Sequence, residues 1–210
     1  MEFLDTDAKK SILYWSKRLY QRGMSPATSG NISVKTKDGI MISASGCCLN
    51  DMDENDIVLI DYDGNVKEGT KKPSSEKIMH SEIYTHRDDI NAIIHCHCPM
   101  ITAFAVAGVP IKKPILPDFA LYWDEIPLVS YYCPSSIDLA TSVGECFKQN
   151  NVALLKNHGI VLGDTSLQNA YYKLDLIRAY VEAYFGAEVL GGARAISKKD
   201  VNEIKKLYRK

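Results

Sequence analysis

The sequence predicts one α/β domain over residues 1–210, with a central mixed, largely antiparallel β-sheet covered by helices. Three observations carry this. Short apolar strand segments cluster around turn residues, and helical periodicity occurs before, between and after those clusters. No internal repeat or low-complexity linker divides the chain. At 210 residues, 46% hydrophobic and 24% charged, it can bury a sizeable core and has ordinary globular composition.

From about Asp7 to Arg22 the chain reads as an amphipathic helix, with Ile12, Leu13, Trp15 and Leu19 near helical spacing. Thr6 or Asp7 is the expected cap, and Gly23 the stop. NISVKT, a turn at Asp38-Gly39 and IMISAS read as a hairpin. IVLIDYDGNVKEG repeats the pattern around Asp63-Gly64-Asn65. A helix is expected from about Ser75 to Arg87, capped by Ser74 with Ser75 as a second acceptor and Glu76 in its first turn. AIIHCHC reads as a buried strand, followed by a short helix from Met100 to Ala107. Gly108 to Pro134 is proline-rich and irregular, with a strand near Ile126 to Tyr131. Ile137 to Lys148 reads as helix, VALLKNHGIVL as a strand through a tight turn, and Ser166 to Leu190 as the longest helix.

The formal net charge of −1 gives no electrostatic case for nucleic acid or an anionic membrane as partner. The basic C-terminal KKDVNEIKKLYRK reads as a solvated helical tail. No apolar run approaches the ~18 residues of a membrane span, and MEFLDTDAKK lacks the order of a signal peptide, so cytoplasm is the expected location. The six cysteines show no CxxC spacing and are expected as free thiols.

His95 and His97 are one residue apart in a strand, so period-two geometry puts both imidazoles on one face and Cys96 and Cys98 on the other. His158, after VALLKN and before Gly159, is the expected third ligand. Three protein ligands with an open position is the arrangement of a catalytic zinc. His80 and His86, without a matching partner, read as structural or surface residues. Ser29-Gly30-Asn31, Ser43-Ala44-Ser45-Gly46 and Ser74-Ser75 each offer hydroxyls and backbone N–H groups suited to an anion. Glu76 reads either as a charge complementing the helix dipole or as a general base close to the metal.

In this order, the segments TSGNIS, ISASG, KPSSEKIMH, IIHCHC and LLKNHGIVLGD resemble the class II aldolase/adducin family, over nearly the whole chain. The resemblance implies one zinc ion per subunit on His95, His97 and His158. It also implies a phosphate pocket of Gly30, Asn31, Ser45, Gly46, Ser74 and Ser75, with Glu76 as catalytic acid/base. It further implies a homotetramer of C4 symmetry with active sites at subunit interfaces, where Tyr208 reaches the neighbouring site. A second, mid-chain tyrosine of the family has no secure counterpart in LPDFALYW, where Asp118 or Tyr122 stands instead. The implied reaction is reversible cleavage of a phosphorylated ketose, such as L-fuculose 1-phosphate, to dihydroxyacetone phosphate and an aldehyde such as lactaldehyde. Alternatives on the same zinc site are ribulose-phosphate 4-epimerase chemistry, which typically has Asp where Glu76 stands, and methylthioribulose-1-phosphate dehydration. Some relatives are sugar-acid phosphate decarboxylases, which usually lack the paired serines. A non-enzymatic adducin-like role is disfavoured by the intact histidines. Specificity for the aldehyde is expected in Gly108 to Pro134 and the C-terminal segment.

Overall fold

The computed structural model describes residues 5–208. Helix α1 spans Asp5–Gln21, so Thr6 and Asp7 lie inside it rather than capping it. It ends at Gly23, whose φ of +68° is the left-handed conformation that closes a helix. Strands β1 (Asn31–Thr36) and β2 (Gly39–Ser43) form the expected hairpin, and β3 (Ile57–Ile60) and β4 (Val66–Glu68) the next.

Helix α2 spans Lys77–His86 and begins later than the serines suggest. Glu76, not Ser74, holds the N-cap position. The Ser74 hydroxyl instead accepts the Glu76 N–H at 3.2 Å, within a tight turn closed by Lys77 N–H on the Ser74 carbonyl at 3.2 Å. Competition from a serine side chain for nearby backbone is the reason the run turns before the helix starts.

Strand β5 (Ala92–Cys96) and helix α3 (Pro99–Ala107) follow. The proline-rich stretch, expected as irregular, contains helix α4 (Pro117–Tyr122), with Pro117 in its first turn where the missing N–H costs nothing. Strand β6 is only Leu128–Val129. Pro127 has no N–H to donate, and Ile126 pairs separately with Ile111. Helix α5 (Ile137–Phe147) and strands β7 (Val152–Leu155) and β8 (Gly159–Asp164) lead to α6 (Leu167–Val189). The basic tail forms α7 (Lys198–Tyr208), which has no buried residue among those described.

All eight strands form one sheet, ordered β4-β3-β2-β1-β5-β8-β7-β6, antiparallel except for the β6–β7 pair. Helices cover both faces. One apolar cluster joins α1, α3, α4 and α6 to Ile32, Val34, Ile94, Cys96, Ile160 and Leu162. The other joins α2 and α5 to Ile40, Ile42, Ile93, Ala153 and Val161. Strict alternation along the strands sends neighbouring residues to opposite clusters. All six cysteines are free, and among the described residues no helix is long and apolar enough to cross a membrane.

Candidate active site and metal centre

Register assembles the site. Strand β5 lies between β1 and β8, with His95 opposite Asn31 on one side and Val161 on the other. Cys96 is opposite Ile160, so His97 leaves the strand beside Gly159 and the His158 turn. Asn157, with φ +54°, bends the chain there, and His158 N–H returns to the Leu155 carbonyl at 3.0 Å. Gly159 is required by this approach. A Cβ at that position would stand 2.5 Å from the Cys96 carbonyl oxygen and 3.0 Å from the His97 ring. Gly30, at φ +82°, is equally confined, its Cβ position lying 2.8 Å from the His95 carbonyl oxygen.

The three rings form a near-equilateral triangle, with centroids 5.0, 4.8 and 4.9 Å apart. One nitrogen from each of His95, His97 and His158 lies within 4.8 Å of the others. His95 Nδ1 donates to the Ile160 carbonyl at 3.0 Å, so Nε2 is the nitrogen turned into the triangle, where against burial the adjoining Glu76 carboxylate raises the pKa of the ring. Burial holds His97 and His158 down to about 4, with the neighbouring His95 acting in the same sense, so both are neutral at pH 7. His95 Nε2 and His97 Nε2 are 3.1 Å apart. Three imidazole nitrogens converging this closely fit a cation, which would displace any proton between them, and their chemistry suits zinc, cobalt or iron.

Glu76 lies against the same nitrogens. Its Oε2 is 3.0 Å from His95 Nε2, and Oε1 is 3.4 Å from His158 Nε2. Burial by itself would raise the carboxyl pKa. The His95 ring, which Glu76 in turn favours in its charged form, outweighs it, with smaller help from His158 and the Asn31 amide, and holds the group well below the usual range, as a carboxylate.

A cavity of about 280 Å³ opens beside these groups. Gly30, Asn31, Ser45, Gly46, Ser74, Ser75, Glu76, His97 and His158 all line it, so nearly every residue singled out from the sequence converges. His95 is fully buried behind the wall. Tyr208 does not line it and stands 72% exposed on α7, and neither Asp118 nor Tyr122 on α4 faces it. Pro134 and Ser135, which no motif in the sequence marks, complete the wall. The signal for Ser135, a left-handed φ of +66°, exists only in the folded backbone.

His80 takes the structural side of its reading, outside the triangle: it is fully buried, with Nε2 2.5 Å from Asn31 Oδ1 and Nδ1 2.6 Å from Ser33 Oγ. His86 does lie near the surface, 3.5 Å from Glu82. Asn31 lines the cavity with the expected anion-binding residues, and its amide donates to Glu76 Oε2 at 3.1 Å while its oxygen faces His80.

The family described as Class II Aldolase and Adducin N-terminal domain matches residues 10–185. An L-fuculose phosphate aldolase of Methanocaldococcus jannaschii is 36% identical over 169 residues, covering 80% of this chain and 91% of the relative. A 5-deoxy-D-ribulose 1-phosphate aldolase of Bacillus thuringiensis serovar kurstaki is 26% identical over 204 residues, covering 95% of this chain and 94% of the relative. A solved structure of an L-fuculose 1-phosphate aldolase superposes with a TM-score of 0.90 at 28% identity, covering 99% of this chain and 98% of the other. On the family match over residues 10–185, the aldolase relatives and the superposed aldolase structure, the chain belongs to the class II aldolase and adducin family, as an enzyme of its aldolase kind.

Proposed function

We propose that this enzyme is a metal-dependent aldolase. It reversibly cleaves a phosphorylated ketose, L-fuculose 1-phosphate or a close analogue, to dihydroxyacetone phosphate and a short aldehyde such as lactaldehyde. The observation that carries this is the buried Glu76 carboxylate beside the His95 and His158 nitrogens, in the wall of a cavity rich in hydroxyls and backbone amides.

His95, His97 and His158 would hold the ion, with zinc the best match to three imidazoles and an open position. When bound, a divalent ion supplies Lewis acidity to a carbonyl and neighbouring hydroxyl oxygen. Gly30, Ser45, Gly46, Ser74 and Ser75, which line the cavity near the start of α2, seat the phosphate through serine hydroxyls and the close backbone approach that glycine allows. In the synthetic direction Glu76 takes a proton from the hydroxymethyl carbon of dihydroxyacetone phosphate. The resulting carbanion attacks the aldehyde carbon, a C–C bond forms, and the aldehyde oxygen becomes an alkoxide that takes up a proton. Tyr208 of a neighbouring subunit would supply it. The exposure of Tyr208 on a helix without buried residues supports a role outside its own chain's site, within a homotetramer. In cleavage each step reverses, and Glu76 returns its proton to the same carbon.

The 5-deoxy-D-ribulose 1-phosphate aldolase, similar over 95% of this chain, favours a second reading with a shorter ketose. Both substrates would release dihydroxyacetone phosphate and differ only in the aldehyde. The test is a coupled assay for dihydroxyacetone phosphate release from L-fuculose 1-phosphate and from 5-deoxy-D-ribulose 1-phosphate, with and without chelator. Chelator-sensitive release is expected, and the larger kcat/KM identifies the ketose. No release of dihydroxyacetone phosphate from either sugar by metal-replete enzyme refutes the aldolase assignment.

A further inference from the structure

Behind Glu76 runs a line of buried polar side chains that the reaction itself does not use. Asn31 Nδ2 is 3.1 Å from Glu76 Oε2, and Asn31 Oδ1 is 2.5 Å from His80 Nε2. His80 Nδ1 is 2.6 Å from Ser33 Oγ, which is 2.8 Å from the Tyr84 hydroxyl. Ser33 and His80 are fully buried and Tyr84 is 1% exposed, so no water decides which way these bonds point.

The chemistry of the last acceptor decides it. Glu76 is a carboxylate and can only accept, so Asn31 must present its NH₂ to Glu76 and its oxygen to His80. The His80 proton must then be on Nε2, with Nδ1 accepting from the Ser33 hydroxyl. Ser33 in turn accepts from Tyr84. Burial, reinforced by His95, lowers the His80 pKa to about 3, in keeping with a single neutral tautomer. Burial likewise raises the Tyr84 phenol well above its ordinary value, so it remains a donor.

We infer that His80 is a positioning residue: resting on the aldolase reading, its Nε2–H locks the Asn31 amide so that Asn31 aims the Glu76 carboxylate at the substrate carbon. The amide of an asparagine is nearly symmetrical in shape, and without the His80 donor it can turn its oxygen toward Glu76. That orientation repels the carboxylate and displaces the base.

Two polar variants separate orientation from mere packing. His80→Gln keeps a donor at the Nε2 position and reaches Asn31. His80→Asn keeps a contact near Ser33 but is too short to reach Asn31. With metal content and thermal midpoint checked, His80→Asn is expected to lose roughly 10- to 100-fold in kcat, as when partners behind metal-site residues are removed, with KM little changed. His80→Gln is expected to recover most of that loss. In an Asn31→Ala background, His80→Asn should cost under about twofold more, because the residue it acts through is gone. Equal kcat for the Gln and Asn variants, or losses that multiply in the double variant, overturn the inference. A readout independent of turnover is the imidazole ¹⁵N spectrum of the intact enzyme. His80 is expected as the Nε2–H tautomer from pH 6 to 8, and an Nδ1–H tautomer overturns the inference whatever the enzyme's substrate. Failure of the aldolase reading would show instead as wild-type enzyme that releases no dihydroxyacetone phosphate.

Discussion

The two faces of the sheet use the same strands for opposite purposes. On β1, Ile32 and Val34 enter the apolar cluster under α1, α3, α4 and α6, while Asn31 and Ser33 point to the α2 face, with His80 and Tyr84. On β5, Ile94 and Cys96 join the apolar cluster, while His95 turns to Glu76 and the other histidines. The first face is stabilised by apolar burial of about 25 cal/mol per Å². The second gives up some of that stabilisation to bury a hydrogen-bonded line of polar groups, which is tolerable only while each member has its partner. The α2 face keeps an apolar cluster of its own, with Ile40, Ile42, Ile93 and Val161, so the polar line is a narrow strip within a face that is otherwise packed like the first.

Three substitutions test this division. Glu76→Gln, on the polar face, should leave metal content and the thermal midpoint intact. It should abolish proton exchange at the reacting carbon of dihydroxyacetone phosphate, a loss of about 10²–10⁴-fold or more. Unchanged exchange by NMR would remove Glu76 as the base. Ile177→Ala, at a fully buried position of α6 on the apolar face, should do the reverse. It should cost about 2–5 kcal/mol in denaturant unfolding and leave kcat near that of the wild type. A fall in kcat to match would show the two faces to be coupled.

The smallest effect concerns pH. His80 has a folded pKa of about 3, below its ordinary value of 6.5, so the unfolded chain binds the proton first. Its contribution is complete above pH 6.5 and is lost as pH falls toward 3. Between pH 7 and 5 the wild type should lose about 2 kcal/mol more than His80→Gln, at 1.36 kcal/mol per unit once protonation of the unfolded chain dominates. Parallel stability curves for the two proteins over that range would contradict burial of a neutral His80. Glu76 and His95 titrate nearby in both proteins, so the difference isolates His80.

Much of this was legible without the fold. Alternation in NISVKT and AIIHCHC located the central strands, and His-x-His spacing with a His before Gly159 located the triangle. Where the reading erred, a long-range or backbone effect had won. Ser74 turns the chain instead of capping the helix, because its hydroxyl takes the Glu76 N–H. Helix α4 forms within a stretch whose prolines suggested irregularity, because Pro117 sits where a helix accepts proline. Which groups hold His80 was beyond local spacing, because Asn31 and Ser33 lie 49 and 47 residues away in sequence.

The sequence by itself determined the fold class and the three clustered histidines, because periodicity and spacing are local properties, while the roles expected of Glu76 and the small serine-glycine loops came with the family resemblance. Only the tertiary structure decided that Asn31 serves Glu76, that His80 stands behind it, and that Pro134 and Ser135 close the cavity. Those relations depend on which strand lies beside which and in what register. Register follows from the burial of whole faces, a property that no short segment carries.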